Sequence, residues 1–381
     1  MSDTLFERLS AALPGVPLLA AEPLAKHTSF RVGGPAEVLV CPRNETELTA
    51  ALAACRAEGI APRILGGGTN ILAPDAGLPG VVISTRGLDT LELITPCRDG
   101  TLPSGSPQAN DRPQGDMTPS MPETGEFACG KSRSCRTPDG KVPSLQNETI
   151  PCRDGTLPSG SPQANDRPQG DMSPQDDGLI VAGAGVPLAR LAMFAQKNGL
   201  TGLEFAHGIP GTVGGGMYMN AGAYGGELVQ VAVSARFLTP EGELLTLEGE
   251  AMGLGYRRSA FMTMPGVIVS AAFRLQPGDP EAILARMREL NERRRASQPL
   301  DLPSAGSTFK RPVGGYAAAL IQEAGLKGLR VGDAAVSTKH SGFVVNLGQA
   351  TSADVLELIA QVRARVKENS GIELEPEVRI W

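Results

Sequence analysis

Two stretches far apart in the chain decide the fold. Residues 84–94 read STRGLDTLELI, and residues 177–188 read DGLIVAGAGVPL. The first ends like a strand and the second begins like one, with Asp177 and Gly178 as turn residues in front of it. With the chain between them set aside, the two become the arms of one β-hairpin. Residues 95–176 are then an insert at a hairpin tip, where extra length is tolerated because loop-closure entropy grows slowly. The parent fold has about 300 residues, enough for two or three domains.

The insert has its own composition. Residues 96–117 read PCRDGTLPSGSPQANDRPQGDM, and residues 151–172 repeat those letters unchanged. Phe127 is the only aromatic residue from 95 to 175, and 13 of the chain's 31 prolines fall there. Such a segment cannot bury enough apolar surface to offset the entropy of ordering it, so a long disordered surface loop is expected. Two copies without an amphipathic period do not make a solenoid. The insert's cysteines, Cys97, Cys129, Cys135 and Cys152, include no Cys-x-x-Cys pair and no neighbouring histidine, so a zinc site is the lesser reading and no metal is expected.

Around the insert, strands and helices mix without regular alternation, which predicts an α+β fold rather than a doubly wound sheet. Asn44 followed by Glu47 predicts a helix start, and Gly59 its end. A helix is expected over 188–198, stopped by Gly199. QVAVSARFLTPEGELLTL, residues 230–247, predicts a hairpin turning at Pro240, Glu241 and Gly242. GVIVSAAFRL, residues 266–275, predicts a buried strand. Asp279 opens a helix with Ile283, Met287 and Leu290 on one face. The last helix carries Val355, Ile359, Val362 and Val366 in a stripe and ends near Gly371.

Charge and apolar patterning exclude several classes of function. The 381 residues carry 35 basic and 41 acidic side chains, a net charge of −6, which argues against a dedicated nucleic-acid binder. The dense basic run Arg293–Arg295 ends a helical pattern and predicts a solvated face. No apolar run approaches the roughly 20 residues of a membrane span. MSDTLFERLSAALPG lacks a basic region followed by an apolar stretch, so no secretory signal is expected, and a cytoplasmic protein with mostly reduced cysteines is.

Candidate chemistry lies in loops. LGGGTNIL contains Gly66, Gly67, Gly68, Thr69 and Asn70. GIPGTVGGGMYMNAGAYGGE, residues 208–227, contains Gly211, Thr212, Gly215 and Asn220. Each cluster alone is consistent with tight turns. Together, with polar Thr and Asn tips, they favour a nucleotide with a diphosphate, because glycines let backbone N–H groups approach an anion. Neither is a Walker loop or a convincing dinucleotide fingerprint. GYRRSAF holds Tyr256 and Arg257, either surface residues or a carboxylate clamp. PSAGSTFKRP, residues 303–312, predicts a tight loop presenting Ser307 beside Lys310 and Arg311. LEPEVRIW sets Glu377 on the face opposite Val378, as an edge strand with solvated acids or as a functional carboxylate. His27, His207 and His340 are scattered and support no triad.

These motifs, with HTSFRVGGPAEVLV, STKHSGFVVN and EPEVRI, resemble the UDP-N-acetylenolpyruvoylglucosamine reductase (MurB) family in order over nearly the whole chain outside the insert. The passage from FKRP straight to GGYAAALIQEAGLKG is similar to the second type of that family. The resemblance implies a two-lobed FAD-binding domain of the vanillyl-alcohol-oxidase (PCMH) type plus a smaller α+β substrate domain. It divides the chain into 1–94 and 177–278 for FAD, 279–372 for substrate, and 373–381 as a strand returning to the FAD side. It implies non-covalent FAD, NADPH as co-substrate, a UDP-sugar substrate, no membrane insertion and a monomer. Arg31, Gly66, Gly67, Gly68, Thr69, Asn70, Gly211, Thr212, Gly215 and Asn220 would hold FAD; Tyr256, Lys310 and Arg311 would face the substrate. Arg257 and Glu377 would stabilise an enolate that Ser307 protonates, with Lys310 steadying the alkoxide. The family often has a lysine where this chain has Ser297, and Arg293 or Arg294 is the expected replacement. The short run after Glu377 predicts weak anchoring of its strand. Another FAD-dependent oxidoreductase of the same superfamily, or a non-catalytic flavin-binding paralogue, are the alternatives. The former would not need Arg257, Ser307 and Glu377; the latter would take up flavin without turnover, or none at all.

Overall fold

A computed structural model describes residues 4–94 and 178–381. The expectations for the insert lie outside the described residues. The hairpin across it is present: strand Leu91–Ile94 pairs antiparallel with Gly178–Gly183, with Ile94 opposite Leu179 and Leu91 opposite Ala182.

That hairpin forms one edge of an antiparallel sheet. Its path runs Leu244–Glu248, Ala232–Leu238, Val267–Pro277, Gly178–Gly183, Leu91–Ile94. The hairpin predicted to turn at Gly242 is there, and Gly242 takes a φ of +91°. Val267–Pro277 is central and buried from Val267 to Phe273, as its continuous apolar run requires. A second sheet takes the order Leu18–Pro23, Pro35–Val40, Leu78–Ser84, Arg63–Leu65, with its first pair antiparallel and the others parallel. One apolar cluster joins these two sheets with helices Leu5–Ala12, Glu45–Ala57, Leu188–Lys197 and Pro280–Ser297. Phe273 is fully buried within it. Phe273→Ala is expected to lower stability by about 3–5 kcal/mol, read as a lower urea midpoint, because the void left by the ring cannot collapse between paired strands.

Helix ends follow the predicted chemistry. The Asn44 side chain accepts from Glu47 N at 2.9 Å, and Asp279 accepts from Glu281 N and Ala282 N. Thr351 and Asp354 cap the last helix reciprocally, and Gly371 closes it with a φ of +73°. Ile283, Met287 and Leu290 are buried against the first cluster, not against the C-terminal elements. A separate apolar cluster is built mainly from residues 305–366 and packs helix Ser352–Ser370 on the sheet Ser304–Ser307, Phe343–Asn346, Ala334–Val336, Arg330–Val331. The described residues belong to one compact unit.

PSAGSTFKRP differs from its sequence reading. Ser304–Ser307 is not a loop but an edge strand, pairing Ser304 with Val345 and Ser307 with Phe343. The pairing partner, FVVN, lies far along the chain and overrides local turn propensity. The glycine still acts as read: Gly306 has a φ of +77° and sits at the bulge where the register slips. No helix among the described residues is long and apolar enough to cross a membrane.

Candidate active site

The glycine loop between strands Arg63–Leu65 and Ile71–Leu72 meets the second glycine cluster backbone to backbone. A Cβ on Gly67 would lie 2.9 Å from Gly211 Cα. Gly68 has a φ of +67°, and a Cβ there would lie 1.9 Å from the His27 carbonyl oxygen. Thr69 Oγ1 donates to Pro210 O at 3.1 Å, fastening the two loops together. Thr212 is buried, and its hydroxyl has no hydrogen-bond partner among the described residues.

These loops line a cavity of about 880 Å³, together with Arg257, Ser307, Arg311 and Glu377. Gly66, Gly67, Gly68, Thr69, Asn70, Gly211, Thr212 and Gly215 all contribute to its lining. The volume falls within the range of about 300–1,000 Å³ typical of cofactor sites. An unpaired buried hydroxyl and glycines with no room for a side chain are what a backbone cradle for a dinucleotide diphosphate requires. The residues therefore fit FAD.

Arg257 occupies the tip of a two-residue turn. Gly255 and Arg258 exchange backbone hydrogen bonds of 2.9 and 3.1 Å, leaving Tyr256 and Arg257 at the apex. Arg257 has a φ of +52°, a costly conformation for a side-chain-bearing residue. Its guanidinium lies 5.4 Å from the Tyr256 ring centroid and forms an ion pair with Glu377 through Nε. That N–H has no aligned hydrogen bond among the described residues, so the two groups meet by proximity and charge alone. Asn220, at the left-handed end of the helix Val213–Met219, does not line the cavity. It is fully buried, and its amide donates to Gly255 O at 3.1 Å, steadying the turn that carries Arg257.

Glu377 is 12 % exposed at its side chain. Its backbone N–H donates to Thr308 O at 2.8 Å, which sets it beside the residue that follows Ser307. Burial pushes the carboxyl above the usual range, while Arg257 and Lys310 pull it back; burial prevails. The proton is then held at a pH where an exposed glutamate has lost it. Between the ordinary value and the raised one, the folded chain binds a proton that the unfolded chain does not, so ionisation costs stability as pH rises. Glu377→Gln removes that dependence. The melting temperature of the variant relative to the parent is expected to rise as pH increases upward from the ordinary glutamate range. A constant offset, or the opposite trend, would show the ion pair outweighing burial.

Ser307 sits next to Gly306, where an added Cβ would meet nothing within 4 Å. Among the described residues, the Ser307 hydroxyl has no hydrogen-bond partner, and Ser307 lines the cavity. Arg311 also lines it, with its guanidinium 4.4 Å from the Tyr316 ring centroid. Tyr256, Lys310 and Arg31 do not line it. Tyr256 is 53 % exposed, and its hydroxyl accepts from Arg311 N at 3.0 Å. Lys310 pairs with Glu375 and acts on Glu377 through its charge. Arg31 is exposed in a left-handed turn and donates its backbone N–H to Thr28 O.

Two expectations need correction. Arg293–Arg295 is not wholly a solvated face: Arg294 is 8 % exposed, lines the cavity and leaves its Nε unpaired. Burial lowers its pKa. Its spacing continues the stripe of Ile283, Met287 and Leu290 by one helical step, a signal that periodicity carries and residue type obscures. Ser297 turns its hydroxyl back to Arg293 O. The segment after Glu377 is also well anchored. Arg379 N donates to Asn70 O at 2.9 Å and Trp381 N to Leu72 O at 3.1 Å, in parallel pairing with the strand after the glycine loop. The Asn70 amide donates to Glu377 O at 3.2 Å, and Arg63 lies 5.9 Å from the Trp381 ring centroid.

Comparison with known proteins settles the kinship. The reductase of Lachnoclostridium phytofermentans named UDP-N-acetylenolpyruvoylglucosamine reductase is 37 % identical over 380 residues, covering 100 % of this chain and 98 % of that protein. The chain belongs to the UDP-N-acetylenolpyruvoylglucosamine reductase family. The protein of that name from Caldanaerobacter subterraneus is likewise 37 % identical, covering 100 % of this chain and 99 % of its own length. The crystal structure of the MurB reductase from Thermus caldophilus superposes with a TM-score of 0.63 at 30 % identity, covering 96 % of this chain and 98 % of that one. The C-terminal domain of the family matches residues 298–381, which hold Ser307 and Glu377. An FAD binding domain matches residues 36–102 and 171–248, which hold both glycine clusters. Residues 103–170 fall outside that match, as expected of an insert in the parent reductase.

Proposed function

We propose that this cavity holds FAD non-covalently and carries the NADPH-dependent reduction of UDP-N-acetylglucosamine enolpyruvate to UDP-N-acetylmuramate, with Arg257, Ser307 and Glu377 managing the charge and proton. The observation that carries this reading is the meeting of the Arg257–Glu377 pair and an unpaired Ser307 hydroxyl in the cavity lined by both glycine clusters. Bound FAD supplies a hydride, drawn from NADPH, to the terminal vinyl carbon of the substrate.

The electron pair of the double bond then moves toward the substrate carboxylate, giving an enolate. Arg257 is a fixed cation for that charge, and its strained turn is braced by Asn220 so that it needs little reorganisation. Glu377, whose buried carboxyl holds its proton more tightly than an exposed glutamate does, is the proposed hydrogen-bond donor to the same charge. Ser307 O–H gives its proton to the carbon bearing the ether oxygen, and the serine is reprotonated from solvent. A hydroxyl is a weak acid, but the enolate is strongly basic and Lys310 and Arg257 supply positive potential nearby. Arg311 and Arg294 are the proposed partners of the UDP diphosphate, Arg294 in place of the lysine absent at Ser297. Tyr256 positions the Arg311 backbone, and Arg31 supports the turn that abuts Gly68.

The decisive experiment is the visible spectrum of the purified protein. A yellow flavin spectrum should bleach with NADPH in the absence of oxygen and return on adding the enol ether. A bleached protein that the enol ether leaves unchanged points to another oxidoreductase of the superfamily. A colourless protein that takes up no FAD points to a non-catalytic paralogue. We place the substrate domain at 298–372, after the helix that packs on the first core, with 373–381 returning to the FAD side. The protein acts in the cytoplasm, where nucleotide sugars and NADPH are available, and as a monomer, which sedimentation equilibrium tests.

A further inference from the structure

We propose that Ser29 is a positioning residue that ties the cofactor loop to the strand carrying the proton donor; the inference rests on the reading of Ser307 above. The Ser29 backbone N–H donates to Gly68 O at 2.9 Å, and its hydroxyl donates to Ser304 O at 2.6 Å. One residue thus holds the glycine loop with its backbone and the head of the serine strand with its side chain.

The serine strand needs such a hold. It lies at the edge of its sheet, and its register to Phe343–Asn346 slips between Ser304 and Ser307. A bulged edge strand is held by few ladder bonds, so where Ser307 points depends on what else grips Ser304. Ser29 is a rigid grip. Thr28 Oγ1 donates to Val32 O at 3.0 Å, and Arg31 N donates to Thr28 O at 3.1 Å, locking the turn around it. Phe30 is 1 % exposed in the C-terminal apolar cluster, and its carbonyl accepts from the Asn346 amide at 3.1 Å. On the other side, the Arg86 guanidinium donates to His27 O at 3.2 Å and Gly67 O at 3.0 Å, joining the same turn to the loop.

The consequence is a fixed distance between the place where the cofactor is held and the place where the proton is given. Proton donation to carbon tolerates little error, and a displacement of about 1 Å costs on the order of 10²-fold in rate. Binding and reduction of the cofactor do not need Ser307 and do not need this hold.

FAD-loaded parent protein, Ser29→Ala, Ser29→Thr and Ser307→Ala are compared in two measurements. In stopped flow, reoxidation of the prereduced Ser29→Ala by the enol ether should slow about 10- to 100-fold, while reduction by NADPH stays within about twofold of the parent. Ser29→Thr keeps a hydroxyl and should restore most of the rate. In hydrogen–deuterium exchange, amides of residues 304–308 should exchange faster in Ser29→Ala, with residues 66–70 unchanged. Ser29→Cys, a weaker donor of similar size, should fall between and keeps the test open if the alanine variant folds poorly. Equal slowing of both half-reactions, or unchanged exchange at 304–308, overturns the proposal. Normal reoxidation in Ser307→Ala removes the proton-donor reading and this inference with it. Slow reoxidation in Ser307→Ala with parent rates in Ser29→Ala removes this inference alone.

Discussion

Ser307→Ala is expected to leave a yellow protein that NADPH bleaches at nearly the parental rate, while reoxidation by the enol ether falls by at least about 10²–10³-fold. The asymmetry follows from what the residue touches. The Ser307 hydroxyl lines the cavity without a partner among the described residues, so its removal breaks none of their hydrogen bonds. The glycine clusters proposed to cradle the diphosphate lie on other segments and keep their geometry. Only the step that needs a proton on carbon loses its donor, and a solvent proton reaching the same carbon must do so without a positioned acid. Stopped-flow absorbance resolves the two half-reactions. Equal losses in both would show that Ser307 serves binding or folding instead.

The second large effect is expected from Gly68→Ala, which should yield a protein with little or no bound flavin. The new Cβ would lie 1.9 Å from the His27 carbonyl oxygen, and that oxygen is backbone, so no side chain can swing aside. It is also held by Arg86 at 3.2 Å. A φ of +67° adds backbone strain. Either the glycine loop or the His27 segment must move, and both movements open the cradle. The combined cost is about 2–4 kcal/mol of stability, with FAD occupancy the more sensitive readout. Gly15→Ala separates the causes: Gly15 has a φ of +83° but open space around it, so it carries the backbone strain alone, about 1 kcal/mol. Flavin absorbance per protein and urea midpoints measure both. Gly68→Ala retaining as much flavin as Gly15→Ala would defeat the cradle assignment.

Much of this protein was legible in its sequence where the signal is local. The caps at Asn44, Asp279 and Gly371 and the turn at Gly242 are decided by a few neighbouring residues, and they stand where expected. The hairpin across the insert was also legible, because both arms carry their own strand pattern. Contacts set by distant chain were not. Ser304–Ser307 is a strand because of Phe343–Asn346, and nothing within PSAGSTFKRP announces that partner. The Arg257–Glu377 pair joins residues that only the fold brings together. Arg294 was obscured because arginine suggests solvent, although its helical position faces the core. Tyr256, Lys310, Asn220 and Arg31 fall outside the cavity lining, and their contacts, with Arg311, Glu375, Gly255 and Thr28, are settled by folding rather than by local sequence.

The parallel pairing of Arg379–Ile380 with Ile71–Leu72 carries a consequence for biogenesis. Asn70 and Glu377, joined by a hydrogen bond, are separated by 307 positions, so the acid reaches its place only after all the chain between them has left the ribosome. A nascent chain can assemble its earlier sheets and begin to gather cofactor while it remains unable to turn over substrate. Removing a handful of residues after Glu377 should therefore produce a coloured but idle protein, a lesion that expression level and solubility would never reveal.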